Sequence, residues 1–367
     1  MTQPTFRIGI IGCGNICNQY FAGLGKFPFL KIVGVADLDP ARAEAKAKEH
    51  GVRAYKPDEL LAEGKIDLVL NLTVPKAHAA VNLSALKAGK NVYTEKPFAL
   101  KLPEARRVLK LAKASGLRVG CAPDTFLGGG IQTARGLIDA GAIGEPVAAV
   151  ANFAGHGCEG WHPDPEFFYQ AGGGPMLDMG PYYLTALVNL LGPIKRVTGS
   201  TRKSFDERVI GSEKKRGQKI KVEIPTHWAG VYDFEAGAIG SVIMSFDVWH
   251  HSLPIIEIYG KEGGMRVPDP NTFGGIVEVR GSNDGSWRKI PLTHSDQVGR
   301  GIGVADLASA IFNERAHRAS GDLAFHVLEA MLAVQLASEQ EEPVHVKSTI
   351  LRPAPLRPGL KPNEIGD

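Results

Sequence analysis

The sequence contains little cysteine and no long apolar run, and each of these features excludes a class of protein. Its four cysteines, Cys13, Cys17, Cys121 and Cys158, form no C-x-x-C pair, so neither a disulfide framework nor a metal site is predicted. No apolar run approaches the ~20 residues of a membrane span, which indicates that no membrane is involved. The N-terminus lacks a basic region followed by an apolar stretch, so we expect a cytoplasmic protein.

Net charge is scarce as well. The 42 lysines and arginines nearly balance the 39 aspartates and glutamates, which leaves a formal net charge of +3. This balance does not indicate a nucleic-acid partner. A share of 44% apolar and 22% charged residues is typical of a globular chain, and 367 residues suit two domains of roughly 100 to 200 residues each.

The first part of the chain alternates short β-type runs with helical patterns. Residues such as Ile16, Tyr20 and Leu24 recur at the spacing of one helical face. The β-type runs predict six strands, at 6–11, 31–36, 52–55, 67–72, 91–94 and 118–121. Strands that alternate with helices predict an α/β fold with a doubly wound parallel sheet, a Rossmann domain over residues 1–123.

The pattern changes after residue 123. Alternating runs such as "HWAGVYDFEAGAIGSVIMSFDVW" and "LPIIEIYG" predict a large, mostly antiparallel sheet, and two helical patterns follow. We therefore expect a second α/β domain over residues 124–345, for substrate binding and oligomerisation, and an extended tail over residues 346–367. Because an open sheet face needs an apolar cover, the sequence predicts a homodimer or homotetramer.

The stretch "GIIGCGNIC" follows the first strand and opens a helix. Gly12 and Gly14 stand where a G-x-G turn lets the backbone approach a pyrophosphate at a helix N-terminus, although Cys17 replaces the third glycine of the fingerprint. Asp37, after the second strand, stands where an acidic residue accepts hydrogen bonds from an adenosine ribose. Its charge would repel the 2′-phosphate of NADP, and Leu38 supplies no cation, so NAD is favoured over NADP.

Two further segments follow strands at the carboxyl edge of the sheet, where such folds bind ligands. In "TVPKAH" these residues are Thr73 and Pro75, and in "NVYTEKPFAL" they are Glu95 and Lys96. A solvated salt bridge in a turn would be the ordinary interpretation of E-K-P. At that edge, however, Lys96 is a candidate base or cation toward a bound ligand, with Glu95 orienting it.

Four motifs in this order, the G-x-G turn, "TVPKAH", "AGKNVYTEKP" and "GGGPMLDMGPYY", make the chain resemble the Gfo/Idh/MocA family over roughly residues 6–345. The resemblance implies a two-domain NAD(P)-dependent enzyme that acts on sugars, polyols or related carbohydrates, with E-K-P at the nicotinamide end of the cofactor. The candidate cofactor-binding residues are Gly12, Gly14, Asn15, Ile16, Asp37, Thr73, Pro75, His78, Glu95 and Lys96.

The glycine-rich segment before an apolar helix carries Asp178 and Tyr182, four residues apart and hence on one helical face. It resembles the family's D-x-G-x-H segment, with Tyr182 at the histidine position, as in branches like glucose-fructose oxidoreductase. A phenol with an ordinary pKa near ~10 needs a neighbouring cation to act at neutral pH, and Lys96 is a candidate for that cation. We expect Lys96 and Tyr182 to act as a pair, either one taking the proton, and Asp178 to bind substrate hydroxyls.

Histidines and aromatic residues cluster near these segments, among them His162 and His251, which are candidate substrate contacts or ordinary structural histidines. The sequence thus predicts hydride transfer between nicotinamide and a hydroxyl or keto carbon of a sugar, polyol or glycoside. Two alternatives are an NAD-dependent glycoside hydrolase of the same fold, without net redox change, and a non-enzymatic NAD-binding regulator.

Overall fold

The computed structural model describes residues 4–366 and divides the chain into two compact units. The first consists of residues up to 132, residues 293–325 and residues from 353 onward, and the second of residues 133–292 and 326–352. None of the described helices is both long and apolar enough to cross a membrane.

The first unit is built on a six-stranded sheet in the order β3-β2-β1-β4-β5-β6, and every neighbouring pair is parallel. Its central strands are continuous apolar runs because helices cover both faces of such a sheet. The strands are β1 Phe6–Ile11, β2 Leu30–Ala36, β3 Arg53–Tyr55, β4 Leu68–Asn71, β5 Asn91–Thr94 and β6 Val119–Cys121. The predicted Rossmann sheet is confirmed.

Helices connect these strands: α1 Cys17–Leu24, α2 Pro40–His50, α3 Pro57–Ala62, α4 His78–Lys87 and α5 Leu102–Ala114, followed by α6 Gly129–Asp139. Local sequence explains why α2 starts where it does. Asp39 precedes it with an extended backbone and accepts a hydrogen bond from the Ala41 N–H, while Pro40 occupies the first helical position.

The second unit contains a nine-stranded sheet in the order β16-β15-β14-β13-β7-β12-β11-β8-β17 and a small β9-β10 hairpin. β7 and β12 run parallel, whereas the other neighbouring strands of the large sheet are antiparallel. The large, mostly antiparallel sheet is therefore confirmed. Its elements are β7 Pro146–Ala154, α7 Pro175–Leu191, β8 Ile194–Arg202, β9 Glu207–Val209, β10 Lys219–Lys221, β11 His227–Phe234, β12 Ile239–Ser245, β13 Ile256–Gly260, β14 Gly263–Val267, β15 Val277–Gly281, β16 Arg288–Ile290 and β17 Val344–His345.

Helix α7 packs on β7, β11 and β12 and covers one face of the large sheet. Tyr232 and Val242 point to that face and are fully buried. On the other face, Val231 and Ile239 leave 43% and 52% of their surface exposed. This face is called the open face below.

The chain returns to the first unit through α8 Ile302–Phe312, and α9 Gly321–Gln340 then leads back to the second. Helix α8 packs on α1 and β6, and the buried Asp124 carboxylate accepts hydrogen bonds from the Gly301 and Gly303 N–H groups at its start, at 2.7 and 3.0 Å. An acidic group is favourable there because the N–H groups of the first helical turn point at it.

The compact units therefore differ from the predicted contiguous domains. Residues 124–132 and 293–325 group with the first unit, where α8 packs on β6 and Asp124 binds the start of α8. The predicted tail is extended, but its residues from 353 onward are anchored. Leu356 is buried and donates its N–H to Gln132, and Arg318 donates to the carbonyl oxygens of Ala354 and Pro355.

Candidate active site

The glycine-rich turn after β1 is shaped for close approach of a ligand to the backbone. Gly12 has a φ of +107°, and an added Cβ would lie 2.6 Å from the Leu72 carbonyl, so only glycine fits. At Gly14 an added Cβ would meet no atom within 4 Å, which leaves open space beside the turn. Helix α1 starts after Ile16 without a side-chain cap and without an acidic residue in its first turn. This geometry fits the pyrophosphate of a dinucleotide.

Asp37 directly follows β2 and contacts the glycine turn. Its Oδ2 accepts a hydrogen bond of 2.8 Å from the Cys13 N–H, and its Oδ1 accepts one of 3.0 Å from the Asp39 N–H. The carboxylate is thereby fixed next to the glycine turn. Leu38 beside it is 92% exposed, so it presents no packing surface that would exclude a ribose. The residues present fit an adenosine ribose.

The segment after β4 is braced from beneath by buried polar side chains. Oδ1 of Asn71 accepts hydrogen bonds from the Thr73 N–H and hydroxyl, at 3.1 and 2.7 Å. The fully buried His78 ring lies between two carbonyl oxygens, with Nε2 2.9 Å from Thr73 O and Nδ1 2.7 Å from Pro97 O. His78 therefore links the Thr73 segment to the E-K-P segment, while Pro75 starts a short 3₁₀ turn between them.

Glu95 is the centre of the E-K-P segment. Its Oε1 accepts a hydrogen bond of 2.8 Å from the Tyr20 hydroxyl, and its Oε2 accepts one of 3.0 Å from the Lys96 N–H. Tyr20 and Glu95 are buried, whereas Lys96 is half-buried. Because both carboxylate oxygens are engaged, the backbone of Lys96 is held at the carboxyl end of β5.

In the second unit, α7 brings the predicted residues onto one helix. Gly174, with a φ of +89°, precedes it, and Pro175 occupies its first position. Asp178 lies half-buried in the first turn, and Tyr182 follows one turn later and is 5% exposed. Tyr183 packs edge-on against Phe153, and burial raises its pKa above the usual range.

The two predicted histidines of this unit lie in loops. Both ring nitrogens of His251 are engaged, since Nδ1 accepts from the Leu253 N–H of its own loop at 3.2 Å and Nε2 lies 3.0 Å from the carbonyl oxygen of Ala154 at the end of β7. His162 accepts from the Asp164 N–H through Nδ1 and packs edge-on against Phe168. These contacts explain both histidines as loop-bracing residues, and their contact with a substrate stays a prediction.

The structure thus groups the predicted residues by unit. Around the first sheet lie the glycine turn, Asp37, the Thr73 segment and the E-K-P segment, and α7 carries Asp178 and Tyr182 in the second unit. The sequence did not identify the link between Tyr20 and Glu95. Helical spacing marked Tyr20 as buried, but no local signal connects its hydroxyl to a carboxylate 75 residues away.

Comparisons with known proteins agree with this organisation. Residues 6–122 match the "Oxidoreductase family, NAD-binding Rossmann fold" model, and residues 131–266 match the "GFO/IDH/MocA C-terminal domain" model, together more than half of the chain. The dTDP-3,4-didehydro-2,6-dideoxy-alpha-D-glucose 3-reductase of Streptomyces violaceoruber is 34% identical over 203 residues, which cover 54% of this chain and 58% of that protein. The match thus spans less than two thirds of that relative.

Longer matches extend over both units. Inositol 2-dehydrogenase 3 of Saccharopolyspora erythraea is 26% identical over 300 residues, which cover 78% of this chain and 80% of that protein. The crystal structure of an NAD binding oxidoreductase from Klebsiella pneumoniae shares the fold, with a TM-score of 0.81 and 22% identity over 93% of this chain and 99% of that one. On this evidence the chain belongs to the Gfo/Idh/MocA family of oxidoreductases.

Proposed function

We propose that the protein is an NAD-dependent oxidoreductase that transfers a hydride between nicotinamide and a hydroxyl or keto carbon of a sugar, polyol or glycoside. The observation that carries the proposal is the placement of Lys96 directly after β5, where Glu95 and Tyr20 hold its backbone. The names of two relatives, a reductase of a dTDP-linked sugar and an inositol dehydrogenase, support the substrate class.

The preference for NAD over NADP rests on Asp37. Its carboxylate is held beside the glycine turn by the Cys13 N–H, in position to accept hydrogen bonds from the two hydroxyls of a ribose. A 2′-phosphate there would bring negative charge against the carboxylate. The exposed neighbour Leu38 supplies no cation to offset that repulsion.

A nicotinamide cofactor held by the glycine turn and Asp37 would supply the acceptor for the hydride, and the residues of this chain would handle the proton of the reacting hydroxyl. Lys96 places its ammonium beside the reacting hydroxyl and stabilises the alkoxide that develops there. Lys96 and Tyr182 act as a pair, and one of the two takes the proton of the reacting hydroxyl. Asp178 accepts hydrogen bonds from neighbouring substrate hydroxyls and fixes which carbon faces the nicotinamide.

A substrate screen tests the proposal directly. The protein is incubated with NAD and a panel of sugars, polyols and glycosides, and NADH formation is followed by absorbance, with Lys96→Met as the inactive control. NADH formation that depends on both substrate and Lys96 supports the proposal. Hydrolysis of a glycoside without NADH accumulation would instead identify an NAD-dependent glycoside hydrolase. Tight NAD binding without turnover of any compound would identify a regulator.

A further inference from the structure

Trp249, in the loop after β12, presents an unusually exposed aromatic surface. It is 69% exposed, yet its indole is held parallel to the His156 ring, with 3.3 Å between ring centroids and 13° between planes. The other indole face has no ring partner among residues 4–366. A fixed tryptophan that keeps one face in water is suited to stacking with a ligand.

A buried arginine fixes this arrangement. Arg208, in β9, is 4% exposed and donates from Nη1 to His156 Nε2 at 2.9 Å. Its Nη2 donates to Oδ1 of Asp247, two residues before Trp249, at 2.6 Å. One guanidinium therefore holds both the stacking partner of Trp249 and the chain that leads to Trp249. Burial, and then the charge of Arg208, lowers the pKa of His156, so its ring is neutral and Nε2 can accept.

The guanidinium is itself neutralised and oriented. Glu159 accepts from Nη1 at 3.1 Å and also accepts a hydrogen bond from the buried Tyr169 hydroxyl. Two buried carboxylates thus balance Arg208, which is the condition under which a buried charge is tolerated. This rigid support means that the Trp249 ring is ordered before any ligand arrives.

The loops that carry these rings leave the same edge of the large sheet. β7 and β12 are parallel neighbours, so the loop with His156 and the loop with Trp249 both start at their carboxyl ends. The loop with Trp249 also lies close to the helix that carries Asp178. Phe246, three residues before Trp249, packs edge-on against Phe168, and the Phe168 carbonyl oxygen accepts a hydrogen bond of 2.8 Å from the Gly174 N–H directly before that helix.

We propose that the free face of Trp249 binds a neutral pyranose ring next to the ring that reacts, so that the preferred substrate is a disaccharide or a larger glycoside. This rests on the proposed function. A reacting carbon must be shielded from water during hydride transfer, and a tryptophan with 69% exposure is too open for that role. It suits the part of a substrate that extends beyond the reacting ring, where the apolar C–H face of a pyranose can lie on the indole.

Titration calorimetry with the NAD-loaded protein tests the inference. Glucose, maltose, cellobiose and phenyl β-glucoside are compared on the unmodified protein and on Trp249→Ala. Trp161→Ala is the matched control, because Trp161 lies in the neighbouring loop, is also 69% exposed and meets His162 only edge-on. We expect at least one disaccharide to bind about tenfold more tightly than glucose, and Trp249→Ala to remove that advantage while it changes glucose affinity less than about twofold.

Equal losses for glucose and disaccharides in Trp249→Ala would overturn the inference, as would a disaccharide advantage that persists in that variant. So would an unmodified protein that binds no disaccharide more tightly than glucose, including the case in which only phenyl β-glucoside gains affinity. Because binding is measured without turnover, the two proposals fail separately. If disaccharides bind more tightly through Trp249 but no NADH forms, only the proposed function is wrong. If monosaccharides are turned over but no disaccharide binds more tightly than glucose, only the Trp249 site is wrong.

Discussion

The hydroxyl of Tyr20 donates a hydrogen bond of 2.8 Å to Oε1 of Glu95, and both groups are buried. Tyr20 lies on α1, the helix that opens at the glycine turn, whereas Glu95 holds the backbone of Lys96. One hydrogen bond therefore connects the helix at the glycine turn with the segment of the residue proposed to handle the proton.

Tyr20→Phe removes only this hydroxyl. Because the bond is to a carboxylate, we expect a loss of about 1.5 to 3 kcal/mol in the free energy of unfolding. If the bond also positions Lys96, kcat should fall roughly ten- to a hundredfold while KM for NAD changes little. The control is Tyr232→Phe, whose buried hydroxyl has no hydrogen-bond partner within the described residues. Lower stability with unchanged kcat would limit Tyr20 to a structural role.

Lys96→Met tests the proton step itself. We expect kcat to fall by roughly 10² to 10⁴, the range for a lost acid-base group, with NAD affinity nearly unchanged. Tyr182→Phe should impair the same step. If the two groups act as one unit, the double variant should be scarcely slower than the slower single variant. A Lys96→Met protein with near-normal kcat on its substrate would leave E-K-P as a structural turn.

Asp37→Ser tests cofactor choice. The unmodified protein should bind NAD more tightly than NADP, because the Asp37 carboxylate repels a 2′-phosphate and Leu38 offers no cation. The serine variant should narrow the difference, mainly through tighter NADP binding. Calorimetric titration of both dinucleotides measures the effect, and tighter binding of NADP by the unmodified protein contradicts the assignment.

Acid should destabilise the protein through His78. Burial lowers the pKa of this ring in the folded state, despite the two carbonyl oxygens beside it. Below the ordinary histidine pKa of about 6.5 the unfolded chain binds a proton that folded His78 does not. Stability is thus fully present above that pH and falls as the pH drops toward the folded pKa, by up to about 1.4 kcal/mol per pH unit.

The test measures the unfolding free energy between pH 5 and pH 8 for three proteins: the unmodified protein, His78→Gln and the control His345→Gln. His345 is exposed and serves as a matched histidine without burial. In His78→Gln the unfolding free energy should fall less steeply as the pH drops, because unfolding takes up about one proton fewer at acid pH. Any loss of stability that is the same at every pH does not affect this slope. An unchanged slope would mean that His78 does not carry the effect.

We propose that the open face of the second-unit sheet packs against another copy of the chain in a dimer or tetramer. Val231 and Ile239 are exposed on this face. Two ion pairs also form on the large sheet, one between Arg266 and Glu257 and one between Arg196 and Asp233. Val231→Lys with Ile239→Lys should convert a dimer or tetramer to monomers in light scattering, whereas Leu351→Lys, at a 93% exposed position off the sheet, should not. A monomeric unmodified protein would contradict the proposal.

Much of the first unit could be predicted because its strands are buried on both faces. The predicted strand 67–72 became Leu68–Asn71, and 118–121 became Val119–Cys121, since a continuous apolar run marks such strands closely. The glycine turn was predictable from local sequence, because a G-x-G between a strand and a helix is typical of it, and the φ of +107° at Gly12 explains the first glycine.

The parts that were not predictable depend on contacts between distant segments. The parallel pairing of β7 with β12 joins strands separated by α7 and the four strands β8 to β11, and alternation alone does not reveal which strands become neighbours. Arg208 stands in a short, polar hairpin whose sequence is typical of an exposed strand. Its burial follows only from the carboxylates that residues 159 and 247 bring to it.

The first unit includes segments that the ribosome makes only after most of the second unit, namely residues 293–325 and those from 353 onward. Cys121 donates its N–H to the Ala319 carbonyl oxygen, and Arg318 binds Ala354, Pro355 and Gly366 through their carbonyl oxygens. A ribosome that has released the six strands of the parallel sheet has therefore not yet supplied α8 or residues 353–366. The β6 side of a nascent chain thus stays uncovered until the whole second-unit sheet up to β16 and then α8 have been translated.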